Sequence, residues 1–106
     1  MDRFMMKLRN RLKRCIDASD ISIEQMKNLT NQGAILIDVR SPQEYAEGHL
    51  PGAICIPEYS IQKDISNKIQ NFEQMIILYC DSGIRSKTAQ HKLQRMGYKQ
   101  VYNLCR

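Results

Sequence analysis

No stretch of this 106-residue chain approaches the roughly 18 to 20 consecutive apolar residues that a membrane-crossing helix requires. Its four cysteines, Cys15, Cys55, Cys80 and Cys105, include no CxxC pair, and the two histidines, His49 and His91, stand far apart. Metal centres are built from close ligand spacings, so no zinc site and no bound cofactor is expected. The start lacks the uncharged apolar segment of a secretory leader. The cysteines are therefore expected to be reduced thiols, and the protein soluble and cytoplasmic. Aromatic residues make up 7%, and no basic stripe interleaves with them, which excludes the usual nucleic-acid surface.

The net charge of +5 does not contradict this, because it is unevenly placed. Residues 1 to 17 hold Arg3, Lys7, Arg9, Arg11, Lys13 and Arg14 against Asp2 and Asp17, a balance of +4; the remaining ten basic and nine acidic residues leave +1. In the same segment Phe4, Met5, Leu8, Leu12 and Ile16 recur at helical spacing. Residues 1–19 thus read as a basic amphipathic helix, and residues 20–106 as one domain. At 42% hydrophobic and 25% charged residues, that domain has an ordinary globular composition.

Along the domain, strand-like and helix-like segments alternate. A short strand at Asp20 to Ser22 precedes a helix over 23–31 that stops at Gly33. "AILIDV" is a continuous apolar run of strand length. "SPQEYAEG" opens with a Ser cap and Pro at the first helical position and closes on Gly48. "ICIP" is a short strand, 59–71 a helix with Ile61, Ile65 and Ile69 four apart, "MIILY" a second buried strand, "RSKTAQHKLQRMG" a helix and "QVYNL" the last strand. This order predicts an α/β fold with a central, mostly parallel sheet flanked by helices on both faces. Ligands in such sheets bind beyond the carboxyl ends of the strands. "DVR" and "CDSGIR" both fall there.

The second of these can do chemistry. A loop between strand and helix can aim its backbone N–H groups at one point, where the helix N-terminus adds partial positive charge. A thiol at the mouth of that cradle, Cys80, is expected to have its anion stabilised and to act as a nucleophile without a dedicated base. Gly83 accepts the positive φ such a loop needs, and Arg85 and Lys87 are expected to add positive charge. A strand-end cysteine can equally serve as a small buried hydrophobe, and the loop by itself leaves both readings open.

"LIDVRSPQEYAEGHLPGAICIP", "ILYCDSGIRS" and "LQRMGYKQVYNL" together resemble a single-domain rhodanese, a sulfurtransferase, over residues 20 to 104. The resemblance implies a five-stranded parallel sheet and a loop cysteine that carries sulfur as a persulfide. Cys80 would be the catalytic nucleophile, and Asp81, Ser82, Gly83, Ile84 and Arg85 the loop that holds the persulfide. A donor such as thiosulfate, or a protein persulfide donor, would load it; cyanide or a thiol would unload it. Asp38, Arg40 and His49 are expected to support the loops structurally, Pro51 and Gly52 to shape a turn, and Cys15, Cys55 and Cys105 to have no catalytic part. Such chains usually continue past "YNL" into a closing helix, so one flank of the sheet is expected to lack cover. Asp81 places a carboxylate beside the thiol and should oppose anionic donors. A cysteine phosphatase is disfavoured, since Cys80 and Arg85 enclose four residues where such loops enclose five. The remaining alternative is a non-catalytic binding or regulatory module of the same fold.

Overall fold

The computed structural model describes residues 18–105. The amphipathic helix expected over 1–19 lies outside them except at Ala18 and Ser19, which form a turn. The elements are β1 (Asp20–Ile21), α1 (Ile23–Asn31), β2 (Ile35–Asp38), α2 (Pro42–Glu47), β3 (Ile54–Cys55), a 3-10 turn (Glu58–Ser60), α3 (Ile61–Lys68), β4 (Met75–Tyr79), α4 (Ile84–Met96) and β5 (Gln100–Leu104). The five strands form one sheet in the order β1-β5-β4-β2-β3, with every neighbouring pair parallel.

Local chemistry explains the boundaries. Ser22 and Ser41 each accept the N–H three residues on, from Gln25 and Glu44, whose side chains return the bond to the cap backbone. These reciprocal caps satisfy donors that the first helical turn leaves without partners. The segment expected to be helical over 59–71 is shorter. A 3-10 turn occupies its start, and α3 ends at Lys68 because the Gln70 amide donates to the Ser66 and Asn67 carbonyls. Continued helix would have bonded those carbonyls through backbone N–H groups.

β4, and β2 up to Asp38 at its carboxyl end, are apolar because both their faces are covered. Ile37, Val39, Ile76 and Leu78 pack on one side with Ile61 and Ile65 of α3 and Ala89 and Leu93 of α4. On the other, Leu36, Ile77 and Tyr79 meet Met26 of α1, Tyr45 of α2 and Leu50. Each fully buried Ile or Leu contributes at most about 1.5–3 kcal/mol. The register aligns Asp38 with Tyr79 on one side and with Cys55 on the other. Consequently "DVR", Cys55 and "CDSGIR" emerge together at one end of the sheet.

Candidate active site

Cys80 follows the last residue of β4 and Gly83 is the N-cap of α4, at φ 82° and ψ −9°. Only glycine adopts that left-handed conformation without a Cβ penalty. A helix normally begins with a Ser, Thr, Asp or Asn whose side chain takes an N–H of the first turn; Gly83 has none. The sulfur of Cys80 fills that role. Its Sγ accepts the Ser86 N–H at 3.3 Å and the Gly83 N–H at 3.1 Å. Ser82 Oγ accepts the Ile84 N–H at 3.3 Å, which braces the turn. The Cys80 thiol lies 3.4 Å from Ser86 Oγ, and that hydroxyl donates to the Gly83 carbonyl at 3.2 Å.

The thiol does not stand open at the loop mouth as expected: Cys80 is 2% exposed. The bonds to first-turn amides draw the side chain inward, onto the core shared with α3 and α4. Ile84, by contrast, is 65% exposed at the start of α4.

Carboxylates hold both guanidinium groups nearby. Asp38, fully buried, accepts from Arg40 Nε at 3.0 Å and Nη2 at 2.8 Å, and from the Arg40 backbone N–H at 2.9 Å. Arg40 Nη2 also donates to the Gly48 carbonyl at 2.6 Å, which ties β2 to the turn after α2. The bonds to Asp38 raise the Arg40 pKa further above its ordinary range, so it stays cationic. Burial pushes the Tyr79 phenol up to about 12, and its hydroxyl accepts the Leu50 N–H at 3.0 Å. Asp38 and Arg40 thus bond to each other, and Arg40 also to the Gly48 carbonyl.

The positive charge expected from Arg85 and Lys87 is not free. Arg85 Nη1 and Nη2 donate to the two Glu44 oxygens at 2.8 and 3.0 Å, and this pair holds the Glu44 carboxyl down at about 2. Lys87 pairs with Asp20 at 2.7 Å. Asp81, whose side chain is 48% exposed, lies 3.6 Å from Arg40 Nη1.

His49 stacks on Tyr45 with ring centroids 3.6 Å apart, and its Nδ1 lies 2.9 Å from the Tyr45 carbonyl. Both contacts are to Tyr45 of α2. Leu50, Pro51, Gly52 and Ala53 make a turn closed by the Ala53 N–H on the Leu50 carbonyl, with Gly52 at φ 81°. Cys55 is a free thiol bonded to the Arg40 carbonyl. Cys105 is disulfide-bonded, which departs from the reduced thiols expected throughout; Cys15 lies outside the described residues. An apolar recess of about 560 Å³ between α1 and the 50–54 turn is lined by Met26, Thr30, Leu36, Leu50 and Ile54 and includes no part of the Cys80 loop.

Two residues of the site escaped the sequence reading. Ser86 was detectable: it occupies the third position of α4, where an N–H needs an acceptor. Glu44 gives no such local signal, because its partner Arg85 is 41 residues away. That pairing also speaks against a phosphate cradle, whose arginine would face the anion.

Two amides converging on a buried sulfur can stabilise negative charge there, which is what a thiolate and its persulfide both carry. A model of the rhodanese-like domain matches residues 22–105. The putative sulfur carrier protein YrkF of Bacillus subtilis is 33% identical over 87 residues, covering 80% of this chain; the chain spans about half (46%) of that protein. Thiosulfate sulfurtransferase GlpE of Pseudomonas entomophila is 33% identical over 84 residues, 79% of this chain and 75% of that protein. The human single-domain sulfurtransferase TSTD1 superposes with a TM-score of 0.73 at 25% identity, over 84% of this chain and 90% of that one.

Proposed function

The chain belongs to the rhodanese-like domain family, and from that premise we propose that it is a sulfurtransferase whose Cys80 carries sulfane sulfur as a persulfide. The observation that carries this reading is the pair of N–H groups, from Gly83 and Ser86, on Cys80 Sγ. In the first half-reaction the Cys80 thiolate attacks the outer sulfur of a donor such as thiosulfate. The S–S bond to the sulfonate breaks, sulfite leaves with the bonding electrons, and Cys80 is left as a persulfide anion. In the second, a thiophilic acceptor, cyanide or a thiol, attacks the terminal sulfur and the Cys80 thiolate returns.

The chain supplies fixed dipoles, and the reacting groups enter as anions, a thiol acceptor as its thiolate, so neither half needs a general acid or base. Gly83 and Ser86 hold negative charge on sulfur, and these donors need no reorganisation during the reaction. Ser86 Oγ adds a hydroxyl beside the sulfur, and Arg85, held by Glu44, anchors the first turn of α4 to α2. The depth of Cys80 favours an incoming group as narrow as one sulfur atom. Residues 20–106 form the catalytic unit in this reading, and 1–19 a separate segment. Partners are small sulfur donors and acceptors, and a protein-borne persulfide is a further donor.

The test is to incubate the purified full chain with thiosulfate and weigh it intact. Gain of one sulfur atom, mapped to Cys80 and removed by cyanide, is expected. A chain that gains no sulfur from any sulfane donor would be the non-catalytic binding module instead.

A further inference from the structure

Around Cys80 three carboxylates face two guanidinium groups. Asp38 takes Arg40 through two nitrogens, and Asp81 must share that same Arg40 at 3.6 Å. Glu44 takes both terminal nitrogens of Arg85. Asp38, Asp81 and Glu44 against Arg40 and Arg85 leave a surplus of one negative charge before the thiolate is counted. The surplus lies with Asp81, since the other two carboxylates are each matched by a close bidentate pair, at 3.0 and 2.8 Å for Asp38 and at 2.8 and 3.0 Å for Glu44. Asp81 is also the residue next to the nucleophile, and its side chain is half exposed.

Like charges a few ångströms apart at a water-exposed site change binding by a modest factor, on the order of fivefold per pair of unit charges. That cost scales with the charge of the incoming donor. We propose that Asp81 is a specificity-determining residue that turns the site away from dianionic thiosulfate and towards sulfane donors with a single negative charge, namely persulfides and thiosulfonates. The inference rests on the Cys80 sulfurtransferase reading. The chemistry is otherwise the same for both classes. With thiosulfate, Cys80 takes the outer sulfur and sulfite leaves; with methanethiosulfonate, it takes the outer sulfur and methanesulfinate leaves. In each case one S–S bond forms, one S–S bond breaks and the leaving group keeps the electron pair. A persulfide donor, R–S–S⁻, loses its terminal sulfur and leaves as R–S⁻.

Thiosulfate and methanethiosulfonate therefore form a matched pair of probes that differ mainly by one charge. kcat/KM is measured for both with cyanide as acceptor, in the full chain and in Asp81→Asn, which keeps the shape of the side chain. The expected result is that Asp81→Asn raises the thiosulfate-to-methanethiosulfonate ratio of kcat/KM about three- to fivefold, and that Asp81→Ser does the same. Added salt should raise that ratio in the unmodified chain and much less in Asp81→Asn. A purely structural role for Asp81 would move both donors together. An unchanged ratio in both variants, with sulfur still loaded on Cys80, overturns the role of Asp81 while leaving the sulfurtransferase reading intact. Loading from neither donor overturns both.

Discussion

Cys55 and Cys80 are both free thiols at the carboxyl ends of strands in one sheet, yet the backbone groups that meet their sulfurs are opposite in kind. Cys55 donates its proton towards the Arg40 carbonyl at 3.7 Å, and burial, reinforced by Asp38, pushes its pKa up. Cys80 sits where a helix begins without a capping side chain, so two N–H groups point at its sulfur. Two N–H groups on one sulfur against a carbonyl on the other, for two cysteines at the same end of one sheet, make backbone direction around the sulfur the difference between a structural thiol and a candidate nucleophile.

The largest effect expected is the removal of one thiol against the other. Cys80→Ser should abolish sulfur loading from thiosulfate or methanethiosulfonate while leaving the melting temperature nearly unchanged, because the swap is close to isosteric. Cys55→Ser should keep most of the loading rate, since its sulfur meets a carbonyl alone. Mass measurement of each variant after donor treatment decides it, and sulfur carried equally well by Cys80→Ser would erase the distinction.

Next in size is the contrast between the ends of β2 and β4. Asp38 is fully buried against an Arg40 whose side chain is 11% exposed, so Asp38→Ala strands a cation in the protein and should cost about 3–5 kcal/mol of stability. Chemical denaturation measures it. Sulfur loading per folded molecule should survive, because Asp38 makes no bond to Cys80. A variant that folds normally but loads no sulfur would move Asp38 into the chemistry. Gly83→Val should behave in the opposite way. No atom lies within 4 Å of the added Cβ, so the effect is backbone strain at φ 82° alone, about 1–2 kcal/mol. If that strain shifts the two amides, the rate of sulfur loading falls roughly tenfold. Gly83→Asn, which tolerates the left-handed region better, should lose less.

Most of this framework was legible before the structure, and the reason is its local character. "AILIDV" and "MIILY" announce buried strands because their apolar residues run on without a break until Asp38 near the end of the first, and Ser41-Pro42 announces a helix start through bonds that span three residues. Cys80 and Gly83 were legible for the same reason, because strand, turn and helix adjoin there. The pairing of charges was not. Arg85 reads as a free cation beside the loop until the fold brings Glu44 to it from α2, and no local spacing encodes a contact across 41 residues. The depth of Cys80 was hidden likewise, since it depends on how α3 and α4 close over the loop.

The smallest effect tests that long-range pair, through pH. Arg85 holds the folded Glu44 carboxyl at about 2, below the ordinary 4.5. A folded value below the unfolded one means that the pair stabilises the native state above about pH 4.5. That contribution shrinks as pH falls below 4.5 and is lost as pH falls through about 2, below which the carboxylate is protonated in both states. Both side chains are about a third exposed, so solvent screening limits the contribution to about 0–1 kcal/mol. Glu44→Gln keeps an oxygen for the Ser41 cap but removes the charge. Its melting temperature should lie slightly below that of the unmodified chain at pH 7, and the gap should narrow steadily below pH 4.5 and close only as pH falls through about 2. Added salt at pH 7 should narrow the same gap, because an exposed pair is screened. A gap that persisted undiminished into acid would assign the effect to capping of α2, and Arg85 would then be held by hydrogen bonds rather than by charge.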